Sequence, residues 1–118
     1  MASITEIEGF LKDFKFKLGF WGLIFQNRTN PKNFQTMTDL EFQVEQVKTV
    51  LKELEPEDYT DGPLKDTLYR GADMWVFGKI IKKREVYIKI TMGQPNDKVI
   101  CISFHFAEHT LTYPYKTK

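Results

Sequence analysis

The chain has 118 residues, of which 42% are apolar and 28% charged, with five prolines and a net charge of +1. That balance fits one globular domain and excludes extended disorder, while the net charge alone argues neither for nor against a nucleic-acid partner. The first stretch, MASITEIEGFLKDFKFKLGF, breaks every apolar run with Glu, Asp or Lys, so no signal-peptide core or membrane span is expected there. Cys101 is the lone cysteine, which precludes an internal disulfide. The expectation is a single cytoplasmic domain over residues 1–118 that makes no membrane contact.

Charge is unevenly spread. Residues 39–73 carry four bases and ten acids, whereas residues 74–118 carry eight bases and three acids. A basic C-terminal third beside an acidic middle suits a polyanion-binding face next to a solvated helix, and ordinary surface explains it equally well.

Ser3-Ile-Thr-Glu6 has the spacing of a capping box, and Ile4, Ile7, Phe10, Leu11 and Phe14 recur at helical intervals. A helix is therefore predicted over residues 4–17, closed by Gly19. FWGLIFQ (20–26) reads as a strand and NRTNPKN (27–33) as a loop. From Glu41 to Leu54 the apolar Val44, Val47, Leu51 and Leu54 share one helical stripe that Pro56 ends. Residues 56–73 show no period and read as a long loop. Three strands follow: MWVFGKII (74–81), EVYIKITM (85–92) and KVICISFH (98–105), joined by KKR and GQPND. The fold class is α+β, in the order αβα-βββ, with helices packed on one face of a small antiparallel sheet.

Side chains alternate along a strand, so each face can be read directly. Val86, Ile88, Ile90 and Met92 form one face of the second strand, leaving Tyr87, Lys89 and Thr91 on the other. In the third strand, Ile100, Ile102 and Phe104 oppose Cys101, Ser103 and His105. Tyr, Lys and His on one face supply the parts for acid–base chemistry beside a phosphate. A solvated face without chemistry carries the same residues with about equal weight. In the first strand, a three-residue KKR loop would put Trp75, Phe77 and Lys79 on the Tyr87 face, where the aromatics could stack on bases; a two-residue turn would send them to the core. The longer loop is mildly favoured.

The C-terminal HFAEH spells H-x-x-E-H, an inverted zinc-peptidase motif. Such a site needs two histidines one helical turn apart and a third protein ligand. Here His105 ends a strand, and the nine residues after His109 contain no Cys, His, Asp or Glu. No metal or other cofactor is expected. Glu108 is left either to orient a histidine or to serve as a surface charge.

At EVYIKIT and VICISFH the chain resembles the MqsR-type toxins of bacterial toxin–antitoxin pairs, which belong with the RelE-like ribonuclease folds. The shared pattern is a Trp-containing strand, a turn, V-Y-[LI]-K-I-T, a second turn and a strand containing S-F; it covers about residues 56–115 closely. The resemblance implies a RelE/MqsR-like fold and a metal-independent, sequence-selective endoribonuclease, an mRNA interferase. Its implied partners are mRNA and a cognate antitoxin, often one with a zinc-binding domain. The family's catalytic tyrosine falls on Tyr87 and its neighbouring lysine on Lys89. Two family positions differ, since Asp58-Tyr59-Thr60 lacks the family's lysine and Val76 stands in place of its glutamine. The expected catalytic set is Tyr87, Lys89, His105 and Lys79, with the ribose 2′-hydroxyl as nucleophile. Trp75, Phe77, Lys82, Lys83, Arg84 and His109 are the expected RNA contacts. The alternative is a non-catalytic RNA- or protein-binding module on the same scaffold.

Overall fold

Ser3 caps the first helix reciprocally: its hydroxyl accepts the Glu6 N–H at 3.1 Å, and the Glu6 carboxylate accepts the Ser3 N–H at 3.0 Å. The computed structural model describes residues 1–26 and 31–116, and helix α1 spans Ile4–Trp21. The chain passes the expected stop at Gly19. Gly22 caps the helix instead, at φ 94°, with its N–H on the Leu18 carbonyl at 3.0 Å. Glycine reaches that conformation without a Cβ penalty. Ile7, Leu11, Phe14 and Leu18 are all buried, so the apolar stripe runs one turn further than the prediction allowed.

Strand β1 is only Leu23–Phe25, shorter than the predicted 20–26. Residues 27–30 of the predicted loop lie outside the described residues. The helix expected from Glu41 to Leu54 is present as α3 (Val44–Lys52), and a further helix that was not expected, α2 (Lys32–Leu40), precedes it, with Glu41 in the left-handed region at φ 60° between them. A pattern based on apolar spacing misses α2 for a physical reason. Its buried positions are Asn33, Thr36, Met37 and Leu40, which keep helical spacing while two of the four are polar.

The predicted 56–73 loop contains a short 3₁₀ turn, Pro56–Asp58, and strand β2, Tyr59–Leu64. Strands β3 (Met74–Ile81), β4 (Arg84–Thr91) and β5 (Val99–Phe106) lie within a residue of their predicted positions. The result is an α+β fold with one open five-stranded sheet of order β1-β5-β4-β3-β2, in which only β1–β5 is parallel. The element order αβα-βββ thus becomes αβααββββ. No helix among the described residues is long and apolar enough to cross a membrane.

Two register details decide which side chains share a face. Ile81 pairs with Arg84, so the β3–β4 turn holds two residues, Lys82 and Lys83, at φ 51° and 69°. This is the primed hairpin geometry that suits the twist of paired strands. Lys82 tolerates it while its ammonium donates to the Leu40 carbonyl at 2.6 Å and lies 5.7 Å from the centre of the Phe42 ring. The favoured three-residue loop is therefore overturned, and Trp75 and Phe77 pair with Ile90 and Ile88 in the core. The second detail is a bulge in β5. Lys89 pairs with Ser103 but Ile90 pairs with Cys101, which leaves Ile102 as the extra residue. Parity therefore reverses across the bulge. Cys101, predicted to oppose the core, is fully buried within it.

Helices α1 and α3 cover the core face of the sheet, where Phe10 stacks on Trp75 at 4.5 Å between centroids and Val47 and Leu51 are fully buried. Helix α2 does something different. Strand β1 pairs only with Val99–Cys101, so the outer edge of β5 beyond that point has no strand neighbour. The Asn33 amide donates to the Ile102 carbonyl at 3.0 Å and accepts from the Phe104 N–H at 2.8 Å; the Thr36 hydroxyl accepts from the Phe106 N–H at 3.1 Å. Two buried side chains of one helix thus do the work of a missing strand and close an edge that would otherwise invite pairing.

Candidate functional site

The sheet face opposite α1 and α3 carries a cleft of about 590 Å³. Its floor is Tyr87 and Lys89 of β4 with Ser103 and His105 of β5. Lys32 and Asn33, at the start of α2, line one part, and Asp66, Thr67 and Leu68 between β2 and β3 line another. Glu108, His109 and Leu111 reach it from the segment after β5. The β2–β3 connection is pinned: the Thr91 hydroxyl is within 3.0 Å of the Ala72 carbonyl and 2.8 Å of the Asp73 carbonyl, and the Tyr69 N–H donates to Asp66 at 3.0 Å.

Tyr87 and His105 are cross-strand partners, and their rings stack with centroids 5.2 Å apart and planes 17° from parallel. The Lys89 ammonium lies 5.9 Å from the centre of the Tyr87 ring. His105 Nδ1 lies 3.0 Å from the Phe106 carbonyl. A carbonyl can only accept, so the proton sits on Nδ1 and Nε2 is the basic nitrogen. Burial raises the Tyr87 hydroxyl above its ordinary value of 10.0, and the negative charge of Asp61 adds to the effect. The phenol therefore keeps its proton at neutral pH and can donate it. A base and an acid stand side by side with a cation against them.

The segment after β5 crosses this face as a strap. Glu85 of β4 accepts the Leu111 N–H at 3.0 Å on one carboxylate oxygen and the Tyr113 hydroxyl at 2.8 Å on the other. Gly78 of β3 makes room for it, because a Cβ there would collide with the Tyr113 hydroxyl and the Leu111 side chain. The Tyr115 hydroxyl donates to the Ala2 carbonyl at 2.6 Å and ends the crossing.

The strap also settles the reading of HFAEH. His105 and Phe106 belong to β5, while Glu108 and His109 lie in a bend rather than on a helix. The helical spacing that the zinc motif requires is absent. Among the described residues, no three His, Cys, Asp or Glu side chains gather as a metal-binding set. Glu108 is instead ion-paired with Lys32 at 2.8 Å.

Of the residues predicted as site residues, the structure brings Tyr87, Lys89, His105 and His109 to one cleft. The others lie elsewhere. Lys79 pairs with Val86 across the hairpin and so faces away from Tyr87; its ammonium is held at 2.8 Å by the nearly buried Asp58 carboxylate. Trp75 and Phe77 are core residues, 8% and 0% exposed, with no face to offer a base. Lys82 and Lys83 form the hairpin tip, and the Arg84 guanidinium stacks on Phe106 at 3.4 Å. All three sit outside the cleft lining. Sequence reasoning did not assign Lys32 or Glu108 to the site. They stand 76 positions apart in the chain, and only the docking of α2 on β5 brings them together.

Among the described residues, the pKa of the Cys101 thiol is raised by burial, and those of the Tyr87 and Tyr113 hydroxyls by burial and by Asp61 or Glu85 respectively. Their ordinary values are 9.0 for the thiol and 10.0 for the phenols. Above those values the unfolded chain gives up protons that the folded chain keeps, so the stability these groups contribute is fully present below pH 9 and is lost as pH climbs. Urea midpoints measured from pH 8 to 11 should therefore decline, and the decline should start later in a Cys101→Ala, Tyr113→Phe variant. A flat profile would contradict this. Comparison with protein-family models, with curated proteins and with solved structures found no match to this chain.

Proposed function

We propose that this chain is a metal-independent endoribonuclease, the mRNA-cleaving toxin of a type II toxin–antitoxin pair. The observation that carries the reading is the stacked Tyr87–His105 pair beside Lys89 in a cleft also lined by Lys32 and His109. In this reading His105 Nε2 takes the proton of a ribose 2′-hydroxyl, whose oxygen attacks the adjacent phosphorus. The bond from phosphorus to O2′ forms as the bond to O5′ breaks, and Tyr87 gives its proton to the departing O5′. Lys89 offsets the charge that develops on the phosphoryl oxygens. The products are a 2′,3′-cyclic phosphate and a free 5′-hydroxyl. The resemblance in VYIKIT and in the S-F strand supports mRNA as substrate, a protein antitoxin as partner and the cytoplasm as location.

The test is direct. Purified protein incubated with single-stranded RNA and a chelator should yield fragments ending in cyclic phosphate, and a 2′-deoxy copy of the RNA should stay whole. Intact RNA after prolonged incubation would sink the proposal. One observation favours the alternative of a binding module: Val76, where the resembled family has glutamine, lies opposite Lys89 and is 3% exposed. RNA that is bound by the cleft yet never cut would decide for that alternative.

A further inference from the structure

The cleft already holds an anion, and it belongs to the protein. Glu108 projects from the strap and meets the Lys32 ammonium at 2.8 Å, with the two side chains 61% and 43% exposed. Lys32 is the first residue of α2, so the partial positive charge of that helix start lies on the same side of the cleft. The Lys32 ammonium, by its hydrogen bond and its charge, is the first cause that holds the Glu108 carboxyl below its ordinary value; burial opposes it, and His105 and His109 add smaller lowering contributions. A carboxylate therefore occupies the place beside the Lys32 ammonium, in a cleft that His105 and His109 also line. On either side of Glu108 the strap is fixed, by the Ala107 N–H on the Glu85 carbonyl at 2.9 Å and by Leu111 and Tyr113 on the Glu85 carboxylate. The carboxylate is thus tethered near its cation rather than hanging from a loose tail.

We infer that Lys32 is a phosphate subsite for RNA and that Glu108 is a built-in competitor for it, which an incoming phosphate displaces. The inference rests on the ribonuclease reading and adds to it a subsite and a self-inhibiting contact. A phosphodiester of the bound RNA would bind Lys32 in place of Glu108, so binding strengthens when the competitor is removed. Both side chains are well exposed, and changing them does not threaten the core.

Binding is separated from chemistry by a fluorescent 2′-O-methyl hexaribonucleotide, which lacks the nucleophile and cannot be cut, titrated against the full chain by anisotropy. Glu108→Gln should tighten binding about three- to five-fold, the scale of an exposed ion pair. Lys32→Ala should weaken binding and cancel the gain from Glu108→Gln in the double variant. It should also reduce the slope of log affinity against log salt by about 0.7. Glu108→Gln binding no tighter than the parent, or a gain that survives Lys32→Ala, would overturn the inference. In either case a parent protein that still cuts ordinary RNA keeps the ribonuclease reading intact. A parent that neither binds the probe nor cuts RNA would overturn both.

Discussion

His105→Ala is expected to slow RNA cleavage by roughly 10²- to 10⁴-fold, the range in which a positioned general base contributes. The ring is half-buried against Tyr87, and its Nδ1–H is anchored on the Phe106 carbonyl, so the basic Nε2 is oriented before substrate arrives. Alanine removes that base and the stacking partner but leaves the backbone pairing of β4 and β5 untouched. Stability should therefore change by less than the catalytic rate does. Binding of the uncleavable hexanucleotide is the control: it should weaken only a few-fold, so the loss falls on turnover. Tyr87→Phe isolates the second role, since phenylalanine keeps the stack and loses the donated proton. Cleavage by His105→Ala at the parental rate would remove His105 from the chemistry and with it the acid–base pair on which the proposed function stands.

Asn33→Leu is expected to destabilise the fold by about 2–4 kcal/mol, because two backbone groups of β5 lose the Asn33 amide at once. The leucine is similar in size and suits a buried position, so the effect isolates the amide rather than the volume. The Ile102 carbonyl and the Phe104 N–H would face an apolar side chain where they now meet the Asn33 amide at 3.0 and 2.8 Å. Thr36→Val removes one such bond, to the Phe106 N–H, and should lose about half as much. Urea denaturation of the two variants measures both, and an Asn33→Leu midpoint equal to the parent's would refute the edge-closing role. A second consequence is functional. Ile102 is the bulged residue next to Ser103, so loosening this edge should also disturb the cleft floor and lower RNA cleavage.

Much of the sheet was legible in the sequence. Val86, Ile88 and Ile90 alternate with Tyr87 and Lys89, and period-two alternation is a local property that survives folding wherever one face is buried. The capping box at Ser3–Glu6 was equally local. The failures share a different cause. The two-residue turn at Lys82-Lys83 carries no Asn-Gly or Asp-Gly, and the Lys82 ammonium is engaged by Leu40 and Phe42 from another part of the chain. The bulge at Ile102 leaves no mark in a run of apolar residues, and it alone reverses the placement of Cys101. Helix α2 stayed hidden because its inward face bonds a strand edge with Asn and Thr instead of burying an apolar stripe.

The sequence by itself determined the α+β class, the three long strands and the shared face of Tyr87, Lys89 and His105, since each follows from spacing within a few residues. Only the tertiary structure decided that Lys79, Trp75 and Phe77 leave that face, because a hairpin's register depends on a turn stabilised from outside it. It also decided that Lys32 and Glu108 meet over the cleft. Their attraction acts through a few ångströms of space, and no pattern along the chain encodes which distant residues will be brought that close.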